Sequence, residues 1–265
     1  MAERESQIVL GLDPAPDALW RGSGRERARG TPGVLAGAAL IGHCREVIDA
    51  TALACVAVKL QLACFERLGT HGWSALEAVC AHARARGLLV IADAKRGDIP
   101  VSAQAYAQAL IGGIETPFGR VPGLEADLVT VNPLLGRDSL QPFVATARQA
   151  GGGVLVLVHS SNAGAADVQE RELADGQPLW EHLAAMADEL GAAGVGEHGL
   201  SDVGAVVAAT APADLARARE LMRSAPFLLP GVGAQGGRVE DLQAAFAPVG
   251  PAASSRRRAA SSTRT

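Results

Sequence analysis

The sequence predicts an α/β fold, namely a (β/α)8 barrel of the TIM type. Three observations support this prediction: short apolar runs recur along the chain, a polar or glycine-rich turn follows each run, and segments of helical composition separate them. The chain has 265 residues, and a barrel of about 250 residues forms a single domain. A doubly wound open sheet is the alternative, because it is built from the same alternating elements.

Seven apolar runs predict the strands. The runs are continuous rather than alternating, which is typical of parallel strands buried on both faces. They occupy residues 8–12, 55–58, 88–92, 128–131, 154–158, 205–209 and 227–229.

Helical segments lie between several of these runs. In residues 73–86 the apolar side chains Trp73, Leu76, Val79 and Cys80 recur at helical spacing, and Gly87 is a stop signal. Residues 180–190 and 212–223 also predict helices. Strands that alternate with helices imply a parallel sheet with right-handed crossovers.

The eighth unit departs from the pattern. Residues 239–246 predict a helix, but residues 247–258 read APVGPAASSRRR where an apolar strand is expected, and the polar segment AASSTRT follows. We therefore expect one barrel domain over residues 1–250 with an atypical or incomplete eighth unit, and a polar C-terminal tail over residues 251–265. Residues 21–30 are rich in Gly and Arg and predict a loop.

Composition argues against several classes of function. The net charge of −4 and the pI near 5.9 do not favour binding to nucleic acid or to anionic membranes. Four cysteines, Cys44, Cys55, Cys64 and Cys80, form no C-x-x-C pair, so we expect reduced packing residues and no metal site. The sequence shows no signal-peptide pattern and no apolar window of membrane-spanning length, which predicts a cytoplasmic location.

Charged residues follow the first three predicted strands. They are Asp13, Lys59, Asp93, Lys95 and Asp98. The carboxyl ends of barrel strands form the active site, and opposite charges keep one another ionised there. Asp93 and Lys95 are two residues apart on a strand end and share a side, whereas Gly97 allows a turn from which Asp98 projects elsewhere, even across an interface. A surface salt-bridge turn is the simpler reading, but the buried strand before Asp93 and the nearby Lys59 favour a catalytic centre.

Two further segments have the composition of ligand-binding loops. The glycine-rich loop at 229–237, with Gly233 and Gln235, follows the seventh predicted strand, where barrels hold phosphate. Arg256, followed by two more arginines, comes where an eighth strand would end, and it either completes this phosphate site or belongs to a solvated tail. Ser161 follows the fifth strand, and its hydroxyl either reads the polar edge of a planar ring or caps a turn.

Six motifs occur in the order found in one enzyme family. They are GLDP at 11–14, VKLQLACFERLG at 58–69, VIADAKRGDI at 90–99, TVNPLLG at 130–136, SSNAGAADVQ at 160–169 and LPGVGAQGG at 229–237. Over residues 9–237 the sequence resembles the orotidine 5′-phosphate decarboxylases, in particular the bacterial branch with longer chains. The resemblance implies a lyase of pyrimidine biosynthesis that converts orotidine 5′-monophosphate (OMP) to UMP and CO2 without a cofactor.

The resemblance also implies roles for individual residues. Lys59, Asp93, Lys95 and Asp98 match the family's catalytic tetrad, whose last member crosses the interface of a homodimer. The implied substrate contacts are Asp13 and Ser102 near the ribose, Ser161 on the pyrimidine, and Gly233, Gln235 and Arg256 on the phosphate. The chain departs from the family pattern at Leu134, which replaces an aromatic residue, at Ser160, which replaces a threonine, and after Arg256, where no apolar stretch follows.

In the implied mechanism Lys95 stabilises the carbanion at C6 of the pyrimidine and then protonates it. A magnesium-dependent sugar-phosphate decarboxylase or hexulose-phosphate synthase shares the D-x-K-x-x-D run, but Lys59 would repel its metal ion. A Schiff-base aldolase would need a lysine of depressed pKa, which flanking carboxylates oppose. A catalytically impaired nucleotide-binding relative is the remaining alternative, because of the altered tail.

Overall fold

The fold is taken from a computed structural model, which describes residues 6–15, 19, 30–209, 212–231 and 238–246. The chain divides into two compact units, Met1–Val154 and Leu155–Thr265. Each unit combines parallel strands with helices. The predicted α/β class is therefore confirmed, whereas the single domain over residues 1–250 stays a prediction.

The strands of the first unit form one parallel sheet and one hairpin. In its described residues they are β1 (Val9–Leu12), β2 (Ala57–Gln61), β3 (Leu89–Arg96), β4 (Ile114–Thr116), β5 (Gly119–Val121) and β6 (Leu128–Val131). The sheet has the order β1-β2-β3-β6, and each neighbouring pair is parallel. Because the strands are parallel, their carboxyl ends share one edge, which is where the charged side chains of β2 and β3 lie.

Helices connect these strands and cover the sheet. They are α1 (Pro32–Thr51), α2 (Leu62–Glu66), α3 (Thr70–Ala85), α4 (Pro100–Ala107) and α5 (Arg137–Ala150), and α4 continues into a π-helical turn, Gln108–Gly112. Pro32 occupies the first helical position of α1, where its missing N–H has no partner to lose. Gly151 ends α5 in the left-handed conformation, with φ of 74°.

The second unit repeats the alternation of strand and helix. β7 (Gly153–His159) starts at the end of the first unit, and β8 (Val203–Val207) and β9 (Phe227–Leu228) follow in the sheet order β7-β8-β9. The helices are α6 (Ala165–Val168), α7 (Leu179–Gly191) and α8 (Pro212–Leu221), together with the 3-10 helices Ala192–Gly194 and Val239–Ala245. All five residues of β8 are buried, as the continuous apolar pattern predicts.

The seven predicted strands are all present, but β2 and β3 extend three and four residues past their predicted ends. β2 ends at Gln61 and β3 at Arg96, so that Lys59, Asp93 and Lys95 lie within strands rather than after them. The segment predicted as a helix over 239–246 is a 3-10 helix. Residues 21–29 of the predicted loop and the chain from residue 247, where the atypical eighth strand was expected, lie outside the described residues. Within the described part of the chain, no helix is long and apolar enough to cross a membrane.

Candidate active site

The neighbouring strands β2 and β3 carry the charged side chains. They pair in parallel with Lys59 opposite Ile91 and Gln61 opposite Asp93. Lys59 and Gln61 are two residues apart and point to one face, because side chains alternate along a strand. Both are half-buried, whereas the other three residues of β2 are buried. This face of β2 therefore presents an ammonium and an amide beside Asp93.

A β-bulge interrupts β3 at the charged residues. The register of β3 against β6 shifts between Ala92 and Arg96, and across this shift residues 93–95 face Thr130 alone. Lys95 has a backbone φ of 47°, in the left-handed region that residues with a Cβ rarely adopt. Bulges next to active sites re-aim side chains, and this one turns Lys95 out of the normal alternation.

Asp93 lies at the centre of the charged group and is only 4% exposed. Its Oδ2 accepts hydrogen bonds from Lys59 Nζ at 2.9 Å and from Gln61 Nε2 at 3.2 Å. Its Oδ1 accepts from Lys95 Nζ at 2.6 Å and from Thr130 Oγ1 at 2.9 Å. A buried carboxylate is stable only when it is paired and hydrogen-bonded, and here each of its two oxygens receives one ammonium and one neutral donor.

A fourth predicted residue extends this chain of charges. The Oδ2 atom of Asp13, just after β1, is 3.5 Å from Lys59 Nζ. Lys59 therefore lies between two carboxylates, and Asp93 lies between two ammonium groups. The structure thus brings together Asp13, Lys59, Asp93 and Lys95, with alternating sign.

The surroundings of Asp93 favour its ionised form. Burial by itself raises the pKa of this carboxyl, but the charge of Lys59 and the hydrogen bonds from Lys95 and Lys59 outweigh burial, so that the pKa lies below its usual value. Asp93 is therefore an anion at neutral pH, which suits a group that holds two lysines in place.

Lys59 and Lys95 are the only lysines in the 265-residue sequence, in which the other 22 basic residues are arginines. Lysine is a compact point charge with protons that it can transfer, whereas arginine stays protonated. Both lysines lie in one cluster around Asp93. The chemistry that distinguishes lysine from arginine is therefore confined to this site.

Asp98 and Ser102 lie beyond β3 and do not join the cluster within this chain. Asp98 is half-buried, and its Oδ1 accepts from the N–H of Ile99 at 2.7 Å. Ser102 is a half-buried residue in the first turn of α4. Among the described residues, neither side chain bonds to Lys59, Asp93 or Lys95. Gly97, which precedes Asp98, is required by close packing rather than by its backbone φ. A Cβ at this position would lie 2.7 Å from the carbonyl oxygen of Asn132.

The loop after β7 belongs to the second unit. Ser161 is half-buried, and its neighbour Ser160 is anchored by Gln169, whose Oε1 accepts from the Ser160 N–H at 2.8 Å. His159 ends β7 as a buried residue stacked on Trp180, with ring centroids 5.4 Å apart. The predicted phosphate residues Gly233, Gln235 and Arg256 lie outside the described residues.

Sequence reasoning missed two members of the cluster, Gln61 and Thr130. Gln61 had a local signal, because it follows Lys59 by two residues and therefore shares its face. Thr130 is a hydroxyl in an apolar run, and only the pairing of β3 with β6 places it beside Asp93. Both donate to the same carboxylate, so the group around Asp93 has two neutral donors as well as two ammonium groups.

The cysteines pack inside the protein as free thiols. Cys44, Cys55 and Cys80 are buried and Cys64 is partly buried. Burial raises the pKa of Cys44 and of Cys80 to about 12, so these thiols stay protonated at neutral pH. Across the described ranges, no group of three or more His, Cys, Asp or Glu side chains is arranged to hold a metal ion.

Parallel strands that alternate with helices and carry two lysines around a buried aspartate define an α/β protein with a candidate lysine-based site. Comparison with known proteins gives the family: the sequence model of the Orotidine 5′-phosphate decarboxylase / HUMPS family matches residues 7–250. The chain belongs to this family.

Individual relatives agree with this assignment. An orotidine 5′-phosphate decarboxylase of Deinococcus radiodurans is 42% identical over 244 residues, which are 92% of this chain and 79% of the relative. The solved OMP decarboxylase of Leishmania donovani is 33% identical with a TM-score of 0.67, covering 92% of this chain and 80% of that one. A solved chain from Streptomyces avermitilis is 36% identical with a TM-score of 0.72, covering 93% and 79%. The solved structural neighbours are TIM barrels, which confirms the predicted barrel class over the doubly wound sheet.

Proposed function

We propose that this protein decarboxylates OMP to UMP and CO2 in the synthesis of pyrimidine nucleotides. The observation that carries the proposal is the Lys59–Asp93–Lys95 group on β2 and β3 of a chain that belongs to the decarboxylase family. A magnesium-dependent relative is less compatible with this geometry. Lys59 Nζ already lies 2.9 Å from the carboxylate that such a metal ion would need.

The reaction places negative charge on C6 of the pyrimidine when CO2 leaves. The catalyst must stabilise this charge more than it stabilises the substrate. Lys95 is the proposed cation: its side chain is 39% exposed and therefore accessible to a ligand, whereas that of Asp93 is 6% exposed. Lys95 would then donate a proton to C6, which forms the C–H bond of UMP.

Asp93 and Lys59 take complementary roles in this proposal. Asp93 would lie near the substrate carboxylate, where repulsion between like charges disfavours the bound substrate relative to the transition state. Its Oδ1 is 2.6 Å from Lys95 Nζ, which keeps the ammonium charged and aimed. Lys59 Nζ donates to the other carboxylate oxygen of Asp93, Oδ2, at 2.9 Å and offsets its negative charge. The same ammonium group also pairs with Asp13.

The remaining site residues are assigned to the rest of the nucleotide. We assign Asp13 and Ser102 to the ribose, Ser161 to the pyrimidine edge, and Gly233, Gln235 and Arg256 to the phosphate. The contact between Asp13 and Lys59 supports the first of these assignments, because it places a half-exposed carboxylate next to the catalytic group. Contacts to a phosphate remote from C6 would supply binding energy for the reaction.

We also propose a homodimer that shares its active sites through Asp98. Asp98 has no ion pair among the described residues, although two lysines lie on neighbouring strand ends. The apolar side chains that follow it are exposed, Ile99 by 60% and Val101 by 82%. A second copy of the chain that covers this segment would bury Ile99 and Val101 and bring Asp98 close to the lysines of that second copy.

The cytoplasmic location stays a prediction for cell fractionation to test.

The decisive experiment follows the loss of OMP absorbance with the purified protein in the presence of EDTA. Metal-independent turnover is expected, since two ammonium groups supply the positive charge. Turnover that stops with EDTA and returns with Mg2+ would support the magnesium-dependent class instead. A folded protein that binds UMP without turnover would indicate the impaired relative.

The variant Lys95→Ala tests the central role within the same assay. We expect a loss of at least about 1000-fold in kcat, because the variant removes both the stabilising charge and the proton donor. Arg120→Ala is the matched control, since it removes an exposed cation on the β4–β5 hairpin and should leave kcat unchanged. Wild-type turnover in the Lys95→Ala protein would exclude the proposed mechanism.

A further inference from the structure

The bulge in β3 frees backbone groups from the strand ladder, and side chains bind them. The N–H of Lys95 donates to Thr130 Oγ1 at 2.9 Å. The carbonyl oxygen of Ala94 accepts from Arg96 Nη1 at 3.0 Å. The ladder resumes where the N–H of Asn132 donates to the Arg96 carbonyl at 2.8 Å. Two side chains therefore close the bulge, and one of them also contacts Asp93.

The side-chain hydroxyl of Thr130 makes two hydrogen bonds, one to Lys95 and one to Asp93. Its hydroxyl has one proton and lone pairs that accept. The backbone N–H of Lys95 can only donate, so the hydroxyl accepts there and gives its own proton to Asp93 Oδ1 at 2.9 Å. Thr130 is fully buried, and water therefore has no access to replace it. One fixed hydroxyl thus links the backbone of Lys95 to the carboxylate that pairs with its side chain.

We propose that Thr130 is a positioning residue that holds Lys95 in its left-handed backbone conformation and so aims the ammonium group. The inference rests on the proposed decarboxylase function. Left-handed backbone is unfavourable for lysine, and the conformation persists only where surrounding contacts impose it. Without the Thr130 hydroxyl the Lys95 backbone relaxes, and its Nζ leaves the position that the Asp93 contact at 2.6 Å defines. A displacement of about 1 Å at a reacting group lowers rates about 100-fold.

The first experiment compares two substitutions of the same threonine. Thr130→Val keeps the shape and removes the hydroxyl, whereas Thr130→Ser keeps the hydroxyl. We expect kcat to fall about 10- to 100-fold in the valine variant and less than about threefold in the serine variant, with KM for OMP changed less than about threefold in both. KM is spared because Thr130 contacts site residues and not the proposed phosphate or ribose groups.

A matched control comes from a second buried threonine. Thr146 on α5 accepts from Gln104 Nε2 at 3.3 Å and lies outside the charged cluster. Thr146→Val should keep wild-type kcat. The proposal fails if Thr130→Val, folded by circular dichroism, retains wild-type kcat, or if Thr130→Ser is as slow as Thr130→Val.

Hydrogen exchange gives a second readout that does not depend on activity. Because the chain has two lysines, labelling with 15N-lysine gives backbone amide signals for Lys59 and Lys95 alone. The Lys95 amide should exchange slowly in the wild-type protein and in Thr130→Ser. In Thr130→Val it should exchange at least about tenfold faster while the Lys59 amide stays unchanged.

The outcomes separate this inference from the proposed function. An inactive wild-type protein with a protected Lys95 amide would reject the decarboxylase function and leave the Thr130 contact in place. An active wild-type protein with an unprotected Lys95 amide would reject the positioning role alone. Equal acceleration of both lysine amides in Thr130→Val would indicate global destabilisation and would also overturn the proposal.

Discussion

Asp93 is a buried carboxylate whose cost of burial is offset by the two lysines that it holds in place. Burial alone would disfavour its charge, yet the charge of Lys59 and the hydrogen bonds of Lys95 and Lys59 hold its pKa below the usual value. A carboxyl group whose pKa is lower in the folded protein than in the unfolded chain stabilises the fold above the unfolded pKa of about 3.9. This contribution is lost as the pH falls through the lower, folded pKa.

The variant Asp93→Asn tests this balance. It leaves two ammonium groups beside a neutral amide, and we expect the free energy of unfolding at pH 7 to fall by about 3 kcal/mol. The difference from wild type should begin to shrink as the pH falls below about 4, where the unfolded wild-type chain takes up a proton, and should be lost as the pH falls through the lower pKa of Asp93 in the folded protein. Urea denaturation at several pH values measures this difference.

Asp188 provides a control of opposite sign. Burial first, and then the charge of Glu189, raises the pKa of Asp188 above its usual value. The ionised form therefore weakens the fold at neutral pH, and Asp188→Asn should be neutral or slightly stabilising there. A difference between Asp93→Asn and wild type that does not change with pH would contradict the proposed electrostatic origin.

At the scale of an element, Arg219 fixes the end of α8 without a carboxylate partner among the described residues. Its guanidinium donates to the carbonyl oxygens of Met222 at 2.7 Å, Arg223 at 3.2 Å, Ala225 at 2.9 Å and Ala245 at 2.5 Å. It also lies 3.8 Å from the ring centre of Phe227 in β9. Burial lowers the pKa of Arg219 to about 10, which still leaves it charged at neutral pH. One side chain thus connects α8, β9 and the 3-10 helix Val239–Ala245.

Replacing Arg219 by lysine separates the effect of the planar guanidinium shape on stability from the effect of its positive charge. Arg219→Lys keeps one cation but loses the planar fork that reaches several carbonyls, and we expect a loss of about 1–3 kcal/mol in the free energy of unfolding. The control is Arg217→Lys on the same helix, where an exposed arginine pairs with Glu181 and Glu220. That change should cost less than about 0.5 kcal/mol. Equal losses in urea denaturation would show that charge alone matters at position 219.

At the scale of the whole molecule, the central prediction is that two copies complete each other's sites. The variants Lys95→Ala and Asp98→Asn should each be nearly inactive alone. When equal amounts are mixed and allowed to exchange subunits, half of the dimers are mixed and each of these has one intact site. About a quarter of the wild-type activity should therefore return.

The complementation experiment has an internal control. Lys95→Ala mixed with Asp93→Asn should recover nothing, because both residues belong to the same side of the shared site and every site then has a lesion. If Asp98 acts within its own chain, the first mixture also stays inactive. A protein that remains monomeric by light scattering at assay concentration would reject the shared-site proposal directly.

The sequence alone determined the order of strands and helices and the identity of the main charged residues. Local patterns contain this information: continuous apolar runs predict buried strands, and D-x-K-x-x-D after such a run indicates Asp93, Lys95 and Asp98. Residues beyond the end of a run were harder to assign, because a polar side chain on the ligand-facing side of a strand resembles the start of a loop. For this reason β2 and β3 were predicted too short.

Only the tertiary structure decided how the site is assembled. Alternation along a strand predicted that Asp93 and Lys95 share a side, and they do meet, but through a bulge and a left-handed lysine. Thr130 belongs to the site because β6 pairs with β3, and such a register depends on packing between segments far apart in sequence. Local patterns therefore specify which residues carry the chemistry, and the long-range pairing of strands sets their distances and directions.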